Sequence, residues 1–469
     1  MFVSLWAIAY LLLALFGLIL AVRAMGGART PQGAVGWVVF LVAMPVLAVP
    51  AYLFFGHHRI SDFLSARRDS ARAVTALETF SRQHRPEVPP PVDMGAFEAA
   101  AQLRPVRGNS MSLLVDGRET FDAIFAAIDA AQSYAIVQFY IVRDDGLGRA
   151  LADRLLAARA RGVEIWMDFD AVGSIGLPDA YLRRLRKAGV RVVDPKRSRG
   201  PKTRFRINYR NHRKTVIADG TVGFIGGHNV GDEYLGLDPV YGRWRDTHAE
   251  LRGPVVSQLQ LIFAEDWHYA TGEVIVESLH WEAGRHPDDM TALIVATGPG
   301  DSFDTGSMVF FAAIAQAQRR VWIASAYFVP DVDTLAALKH AALRGVEVRL
   351  LLPDMVDHWM PWLAAFAYFD EVMEAGVEIW RYTDGFMHQK AILVDDRLAA
   401  VGTANMDNRS FRLNFEAMAL FPDPRAAAAV EAMLVEDFAH AYRLTKRLGE
   451  QSRAVRLGAP AARLFAPLL

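Results

Sequence analysis

The feature of this sequence that most limits its possible folds is a pattern, H-x-K-x-x-x-x-D, that occurs twice. The residues that define the two copies are His212, Lys214 and Asp219 in the first and His388, Lys390 and Asp395 in the second. Mostly apolar residues run from the Lys to the Asp, which indicates a buried β-strand. Because residues two apart on a strand point to the same face, each His and its Lys are predicted to project into one space.

The two lysines are informative because lysine is rare in this chain. Only seven of the 51 basic residues are Lys, yet both copies of the pattern have Lys rather than Arg. An imidazole can attack or carry a proton, and an ammonium is a compact positive charge. The pattern therefore favours a phosphate site over the alternative, which is a pair of structural histidines satisfied within the core.

The segments that follow the two patterns also repeat. The first is followed by Gly226-Gly227-His228-Asn229 and the second by Gly402-Thr403-Ala404-Asn405. The Asn lies seventeen positions after the His in both copies, from 212 to 229 and from 388 to 405. A turn of small residues with an Asn can bring backbone N–H and amide donors to an anion. We therefore expect Asn229 and Asn405 to lie near the phosphate.

Helices and apolar strands alternate in the same order around the two patterns. A helical period from Arg118 to Ala131 leads into an apolar strand from Tyr134 to Val142, and a helical period from Ser307 to Arg319 begins the second series. Such alternation predicts an α/β sheet covered on both faces. We expect two α/β/α lobes, residues 101–275 and 276–469, that are related by a pseudo-twofold and share one site between them.

Two long apolar runs begin the chain. Phe2 to Val22 and Ala34 to Phe55 contain no charged residue, and each reaches the roughly 20 residues that span a bilayer core. We predict a transmembrane hairpin within residues 1–58, with its second helix kinked at Pro45 and Pro50. The alternatives are a cleaved signal peptide, which lacks support because no basic segment precedes the first run, and two buried helices of a soluble core.

The arginines near these runs indicate an orientation. Four lie between residues 59 and 72, after the second run, and two lie in the loop between the runs. Basic segments stay on the cytoplasmic side of a membrane, so we expect a multi-pass protein of the bacterial inner membrane with a cytoplasmic catalytic part. Residues 59–100 are predicted to form a helical and Pro-rich linker before that part.

Composition excludes some classes of site and leaves others open. The net charge is −1, so no global field attracts nucleic acid. The absence of Cys excludes disulfides, Cys–zinc sites and thiol catalysis. The stretch from Arg191 to Lys214 has ten basic residues and one acid, which fits a solvated loop, a contact with anionic lipid or a polynucleotide groove. The stretch from Trp359 to Phe366 either packs in the core or enters a membrane interface.

The two patterns and their flanks resemble the phospholipase D superfamily, and bacterial cardiolipin synthases in particular. The stretches that carry the resemblance are Asn211–Lys214, Gly226–Tyr234, Phe386–Lys390 and Gly402–Glu416. The resemblance extends over nearly the whole chain, including the N-terminal apolar runs. It implies two phospholipase D-like lobes and a phosphohistidine intermediate, with no metal and no cofactor. Two small departures are Thr403, where many members have Ser, and His228, where an apolar or aromatic residue is common.

The resemblance implies a role for the residues that touch the substrate. His212 is the expected nucleophile, and His388 is the expected acid for the leaving alcohol and base for the incoming one. The side chains expected to bind the phosphate oxygens are those of Lys214, Lys390, Asn229 and Asn405.

The resemblance also implies that a carboxylate orients each catalytic imidazole. Asp246 is expected to orient His212, with Glu233 as its competitor, and Glu416 is expected to orient His388. The residues counted with the catalytic patterns but expected to tie strands are Asp219 and Asp395. The histidines expected to be structural are His228 and His248.

The reaction implied is transfer of a phosphatidyl group between two phosphatidylglycerol molecules, which gives cardiolipin and glycerol. A membrane-tethered phospholipase D, phosphodiesterase or nuclease would use the same His pair, and a lipid-binding scaffold with a relic site is a non-enzymatic alternative. The expected partners are phosphatidylglycerol, other anionic phospholipids and the membrane. No nucleic acid is expected, and an oligomer is compatible with the sequence.

Overall fold

The structure, a computed structural model, describes residues 2–28, 30–56, 81–193, 208–301 and 303–469. Two predicted features lie largely outside these ranges: the segment that starts at residue 59, with the arginines used for orientation, and the centre of the basic run that starts at Arg191. The described residues form two compact units. One is an N-terminal helical unit, and the other is a larger α/β unit that holds both H-x-K patterns.

The N-terminal unit consists of the helices α1 (Phe2–Gly27), α2 (Pro31–Ala43) and α3 (Pro45–Phe55). Within α1, Leu5–Gly27 has a mean hydropathy of 2.6, and among the described helices it alone is long and apolar enough to cross a membrane. The second apolar run is not one continuous helix, because the chain leaves helical geometry at Met44, with φ −138°, before Pro45 starts α3. Proline disfavours helical geometry in the residue before it, so the predicted kink is a break.

The α/β unit is built on one sheet of 16 strands, with two short two-stranded sheets beside it. The strands of its first half are β1 (Val106–Val115), β2 (Tyr134–Phe139), β3 (Glu164–Phe169), β4 (Arg191–Val192), β5 (Arg210–Asn211), β6 (Thr215–Ala218), β7 (Val222–Gly226), β8 (Trp244–Arg245) and β9 (Thr247–Arg252). Those of its second half are β10 (Met290–Thr297), β11 (Arg320–Ala324), β12 (Phe328–Val329), β13 (Glu347–Pro353), β14 (Glu378–Tyr382), β15 (Phe386–Met387), β16 (Ala391–Val394), β17 (Leu398–Gly402), β18 (Met406–Asp407), β19 (Asn414–Phe421) and β20 (Ala441–Arg443).

Helices cover both faces of this sheet. They are α4 (Gly95–Ala101), α5 (Asp116–Ala130), α6 (Gly146–Ala160), α7 (Asp179–Lys187), α8 (Val255–Thr271), α9 (Thr305–Gln316), α10 (Val332–Leu343), α11 (Trp359–Glu374), α12 (Asn408–Arg412), α13 (Pro424–Ala439) and α14 (Arg453–Arg463). Helices α5 to α7 bury their apolar sides in one core, α9 to α11 in a second, and α8 and α13 in a third. The predicted mixed α/β architecture is confirmed.

The strand order reads the same from the middle of the sheet towards both edges. Strands β1 and β10 pair antiparallel in the middle. On one side follow β9, β7, β6, β2, β3 and β4, and on the other β19, β17, β16, β11, β13, β14 and the edge strand β20. The two strands that follow the H-x-K patterns, β6 and β16, therefore hold equivalent positions. The border predicted between residues 275 and 276 stays a prediction, because the sheet is continuous through both halves.

Candidate active site

The His and Lys of each pattern lie immediately before the strand that the sequence predicts. Lys214 is followed by β6 and Lys390 by β16, and all four side chains are buried. Burial is the main cause that lowers the pKa of His212 and of Lys214, and the charge of Lys390 lowers both further. The two patterns therefore lie within electrostatic range of each other and form one site in the α/β unit.

The site is assembled by two parallel pairings that cross between the halves of the chain. Strand β5, just before His212, pairs with the start of β19, and His212 N donates to the Phe415 carbonyl at 3.0 Å. Strand β15, just before His388, pairs with β8, and His388 N donates to the Arg245 carbonyl at 2.8 Å. Each histidine is thus fixed by backbone bonds to a strand from the opposite half.

These crossed pairings decide which carboxylate meets which imidazole. His212 Nδ1 lies 2.9 Å from Glu416 Oε2, and His388 Nδ1 lies 2.8 Å from Asp246 Oδ2. The expected pairing, with Asp246 on His212 and Glu416 on His388, is therefore wrong. It assumed that each carboxylate serves the pattern that precedes it in the chain, whereas β5 and β15 each reach across to the other half. Glu233, the proposed competitor, contacts Arg143 instead.

Each carboxylate fixes the direction in which its imidazole can react. With Nδ1–H donating to the carboxylate, Nε2 is left with a lone pair for an incoming group. Burial lowers the pKa of His212, and burial together with the charge of Lys390 lowers the pKa of His388 to about 4. Burial alone would raise the pKa of Glu416, but the charges of His212 and Lys214 and its hydrogen bonds outweigh that effect, so the pKa is lowered. The carboxylates are therefore ionised and the free imidazoles neutral near pH 7.

Three polar side chains that the sequence reasoning missed hold the Glu416 carboxylate. Thr403 Oγ1 donates to Oε2 at 2.5 Å, while Ser410 Oγ and Asn414 Nδ2 donate to Oε1 at 2.9 and 3.1 Å. The hydroxyl at position 403 thus has a structural use, which explains why Thr can stand where Ser is common. The signal was present in the sequence, because Thr403, Ser410 and Asn414 all lie within the recognised stretch Gly402–Glu416, but the sequence does not show that they share Glu416 as their partner.

The turn after the first pattern leaves room for the Asp246 carboxylate because it has glycine at position 227. A Cβ on Gly227 would lie 2.0 Å from Asp246 Oδ1, so no other residue fits without moving the carboxylate. The backbone N–H of Thr247 donates to the same oxygen at 2.8 Å. His228 and His248 lie beside this turn, buried, with their Nδ1 atoms 3.1 Å apart. Burial lowers the pKa of both histidines, which fits the structural role expected for them.

The residue between the His and the Lys of each pattern donates a hydrogen bond to a carboxylate on a helix. Arg213 Nη1 donates to Asp266 on α8 at 2.5 Å, and Gln389 Nε2 donates to Asp437 on α13 at 2.7 Å. Arg245 binds Asp437 through two nitrogens, at 2.6 and 2.8 Å. A bidentate guanidinium–carboxylate pair is geometrically specific, so these contacts fix the backbone that carries the two histidines.

Both lysines are held against the backbone of their own pattern. Lys214 Nζ donates to the His212 carbonyl at 2.6 Å, and Lys390 Nζ donates to the His388 carbonyl. Burial lowers the pKa of Lys214 to about 7 and that of Lys390 to about 8, against the opposing charges of Glu416 and Asp246. Two ammonium groups so close to loss of their protons indicate a site that is completed by an anion.

The two asparagines differ in how much of their amide is already used. Asn229 Oδ1 accepts from the Ile141 N–H at 3.0 Å, and its Nδ2 donates to the Tyr234 hydroxyl at 3.0 Å. Asn405 Oδ1 is buried and has no hydrogen-bond partner among the described residues. A buried amide oxygen without a partner is costly, and an amide can be turned to present its N–H₂ instead. Asn405 is therefore the better placed of the two for a ligand.

The surroundings of the two histidines are not equivalent. The Tyr140 ring meets His212 edge-on at 4.9 Å, whereas Trp244 and Phe386 lie 5.5 and 6.0 Å from the His388 ring. Two residues before His388, in the pairing of β15 with β8, Phe386 lies opposite Trp244. Two residues before His212, in the pairing of β5 with β19, Arg210 lies opposite Asn414. Two aromatic rings thus flank His388, whereas His212 meets one ring and follows a polar pair, so the surroundings of the two imidazoles differ.

The final Asp of each pattern ties strands together, away from the imidazoles. Asp219 accepts from the backbone N–H groups of Gln132, Ser133 and Tyr134, at 2.8 to 2.9 Å. Asp395 does the same for residues 318 to 320, and both Asp residues have positive φ, 52° and 54°. Asp tolerates this left-handed conformation better than most residues. The contacts agree with the strand-tying role expected for these two carboxylates.

We expect Asp395→Ala to lower the stability of the protein and leave its chemistry nearly unchanged. Three backbone donors lose their acceptor and an alanine is forced to positive φ, so the loss should be about 2–4 kcal/mol. Thermal unfolding in detergent measures the loss, and Asp396→Ala, at an exposed neighbouring position with a surface ion pair to Arg319, is the matched control. A normal melting temperature with a hundredfold lower turnover would instead make Asp395 a catalytic residue.

No group of three or more His, Asp or Glu side chains among the described residues is arranged to hold a metal ion. The side chains gathered at the site carry imidazole, ammonium, carboxylate and amide groups. Such groups can supply a nucleophile, a proton donor and two positive charges for an anionic substrate.

Comparisons with known proteins agree with this chemistry. The family model described as "Cardiolipin synthase, PLD-like domain" matches residues 124–267 and 310–438. A cardiolipin synthase A of Pseudomonas putida is 43% identical over 466 residues, with 97% of this chain and 96% of the relative covered. One of Pseudomonas aeruginosa is 44% identical over 465 residues, covering 97% and 94%. The solved phosphatidylserine synthase of Haemophilus influenzae shares the fold, with a TM-score of 0.63 and 16% identity over 80% of this chain and 99% of that one.

Proposed function

Because the chain belongs to the cardiolipin synthase family of phospholipase D-like proteins, we propose that its two histidines move a phosphatidyl group from one phosphatidylglycerol to the glycerol hydroxyl of another. The products are cardiolipin and glycerol. The observation that carries this proposal is the pair of crossed His–carboxylate contacts, His212 with Glu416 and His388 with Asp246, around one buried site.

The first half of the reaction forms a covalent intermediate. His212 Nε2 attacks phosphorus while the bond from phosphorus to the glycerol headgroup oxygen breaks, and protonated His388 gives its Nε2 proton to the leaving alkoxide. Lys214, Lys390 and the two asparagines bind the phosphoryl oxygens and offset the charge that develops on them. The negative phosphate raises the pKa of His388 when it binds, because opposite charge favours the protonated imidazole.

The second half reverses these roles with a new alcohol. His388, now neutral, takes the proton of a glycerol hydroxyl on a second phosphatidylglycerol. The oxygen attacks phosphorus, the phosphorus–nitrogen bond to His212 breaks, and both imidazoles return to their starting state. Splitting the transfer in this way replaces one difficult displacement by two easier ones. Glu416 and Asp246 keep Nδ1–H of each ring bonded throughout, so that only Nε2 reacts.

The surrounding fold fits a substrate that lies in a bilayer. The chain carries one N-terminal apolar helix of membrane-spanning length, which suggests anchoring. We further propose that α2 and α3 return through the same bilayer, so that the protein is multi-pass in the bacterial inner membrane with its site on the cytoplasmic side. The matched strand order around β1 and β10 supports two lobes related by a pseudo-twofold, with borders near residues 101–275 and 276–469.

Product analysis in liposomes tests the proposed reaction. The purified full chain is reconstituted with phosphatidylglycerol labelled in its headgroup, and the lipids and the aqueous phase are separated. We expect cardiolipin and free glycerol in equal amounts. Phosphatidic acid without cardiolipin would mean that water takes the phosphatidyl group and that the protein is a phospholipase. No lipid turnover, with cleavage of an oligonucleotide, would replace the proposal by a nuclease.

The lysine pKa values predict how the reaction depends on pH. The value of kcat/KM reports groups of the free enzyme, and in the free enzyme the pKa is about 7 for Lys214 and about 8 for Lys390. As pH rises through these values the ammonium groups lose their charge and bind phosphate less well. We expect kcat/KM for phosphatidylglycerol to fall by roughly tenfold per pH unit between about 7 and 8, and more steeply above about 8, where both ammonium groups lose their charge. A profile that stays flat to pH 9.5 would contradict this.

A further inference from the structure

The helix α14 near the C-terminus presents one side to the protein. Ala459 and Ala462, on this side of the helix, are buried. A Cβ on Gly458 would lie 2.8 Å from the Leu363 side chain on α11. Arg463 is fixed at the other end of the contact, with its guanidinium 4.4 Å from the centre of the Tyr368 ring. The two helices therefore pack side by side, and these contacts fix which side of α14 faces the protein.

The side of α14 that faces away from the protein is apolar. Leu457 is 74% exposed, and Leu464 and Phe465, at the end of the helix, are 80% and 52% exposed. Together with Ala454 and Ala461 these residues recur at spacings of three and four, so they form one outward stripe. Large apolar side chains in one exposed row mark an interaction surface more often than single exposed residues do.

A second stripe beside the apolar one is basic. Arg453 and Arg456, three positions apart, are both exposed. From Gln451 to Leu469 the sequence contains no Asp or Glu. Guanidinium groups bind phosphate with two nitrogens at once, so this flank is complementary to the headgroups of anionic lipids.

We propose that α14 lies in the headgroup region of an anionic phospholipid bilayer, with its apolar stripe entering the acyl boundary and its arginines on lipid phosphates. An amphipathic helix with an apolar face and a basic flank binds membrane surfaces in this way. The proposal rests on the proposed function, because the substrate there is itself an anionic bilayer lipid. It assigns a membrane contact to a helix that the proposed reaction does not use.

The position of α14 beside α11 indicates how a membrane contact there would serve the active site. Helix α11, on which α14 packs, begins at Trp359, which is 68% exposed. Two residues earlier lies Asp357, whose charge acts on both His388 and Lys390. The start of α11 therefore borders the catalytic site, and a bilayer held on α14 and Trp359 would bring lipid headgroups to its edge.

Depth-resolved fluorescence of the full chain in proteoliposomes tests the contact. The chain contains no Cys, so Leu457→Cys takes a single polarity-sensitive label. Leu343→Cys, 74% exposed at the end of α10, is the matched control. We expect the label at 457, and not at 343, to shift to the blue and to be quenched by spin-labelled phosphatidylglycerol. Equal behaviour at both positions would overturn the proposal, and so would a blue shift that lipid-borne quenchers do not reach, which would indicate a second copy on the helix.

Turnover of two forms of the substrate separates this proposal from the proposed function. The double variant Leu457→Asp with Leu464→Asp should lose about tenfold of its turnover on vesicles, while turnover of a short-chain phosphatidylglycerol in free solution stays normal. Leu343→Asp should change neither. Equal turnover of vesicles by variant and wild type would overturn the membrane contact. Absence of turnover of both substrate forms by the wild type would reject the proposed function, and the fluorescence result would still decide the contact.

Discussion

Replacing His212 or His388 with Ala is expected to lower cardiolipin formation by at least about a thousandfold, the largest effect of any single change in this chain. In the proposed mechanism the first variant lacks the nucleophile, and the second lacks the donor for the leaving alkoxide. Because the two imidazoles act in one sequence of steps, the double variant should be no worse than the poorer single one. Turnover of labelled phosphatidylglycerol measures the losses, and His340→Ala, exposed on α10, should match the wild type.

A substrate with an activated leaving group distinguishes the two histidines. Nitrophenolate needs no proton to leave, so a nitrophenyl ester of phosphatidic acid should restore burst release in His388→Ala and leave His212→Ala inactive. Restoration in His212→Ala instead would reverse the two roles. The proposed assignment, with His212 as the nucleophile and His388 as the acid and base, is what this comparison tests.

The carboxylate variants Glu416→Gln and Asp246→Asn are expected to lower turnover by about 10²–10⁴-fold. Each amide can hold its imidazole in place but favours the wrong tautomer and does not stabilise the imidazolium. The crossed contacts predict which histidine each change disables. Asp246→Asn should behave like His388→Ala and be restored by the nitrophenyl substrate, whereas Glu416→Gln should behave like His212→Ala and stay inactive.

If each carboxylate instead oriented the histidine of its own half, Asp246 with His212 and Glu416 with His388, the same two variants would give the opposite outcomes. Glu233→Gln is the control, because Glu233 pairs with Arg143 rather than with a catalytic imidazole, and its turnover should stay within a few-fold of the wild type. Restoration of Glu416→Gln by the activated substrate would therefore contradict the crossed arrangement itself.

Local patterns predicted much of the fold. The helix expected from Arg118 to Ala131 is α5, Asp116–Ala130, and the strand expected from Tyr134 begins at that residue as β2. These elements are set by helical period and apolar runs, which a short window of sequence contains. The division of the second apolar run at Met44 shows the limit of such windows, because hydropathy counts residues while Pro45 decides where the helix starts again.

The contacts that depend on distant pairing could not be predicted in the same way. Glu416 lies only 28 positions after His388 (388 to 416) but 204 after His212, which it contacts. Proximity along the chain therefore favours the wrong partner. Only the parallel pairings of β5 with β19 and of β15 with β8 bring each carboxylate to the opposite histidine, and two-residue strands leave almost no trace in a hydrophobic pattern.

Covalent transfer through His212 is tested most directly by finding where the phosphatidyl group is attached during turnover. The His388→Ala variant in liposomes, given the nitrophenyl ester, is denatured in alkali, in which phosphohistidine survives, and its peptides are mapped by mass spectrometry. Transfer through His212 predicts a phosphatidyl group on His212 in this variant, and a smaller modified fraction in a wild-type sample that receives phosphatidylglycerol before denaturation. Modification of His388 in the matching His212→Ala sample, or of neither residue, would contradict covalent transfer through His212.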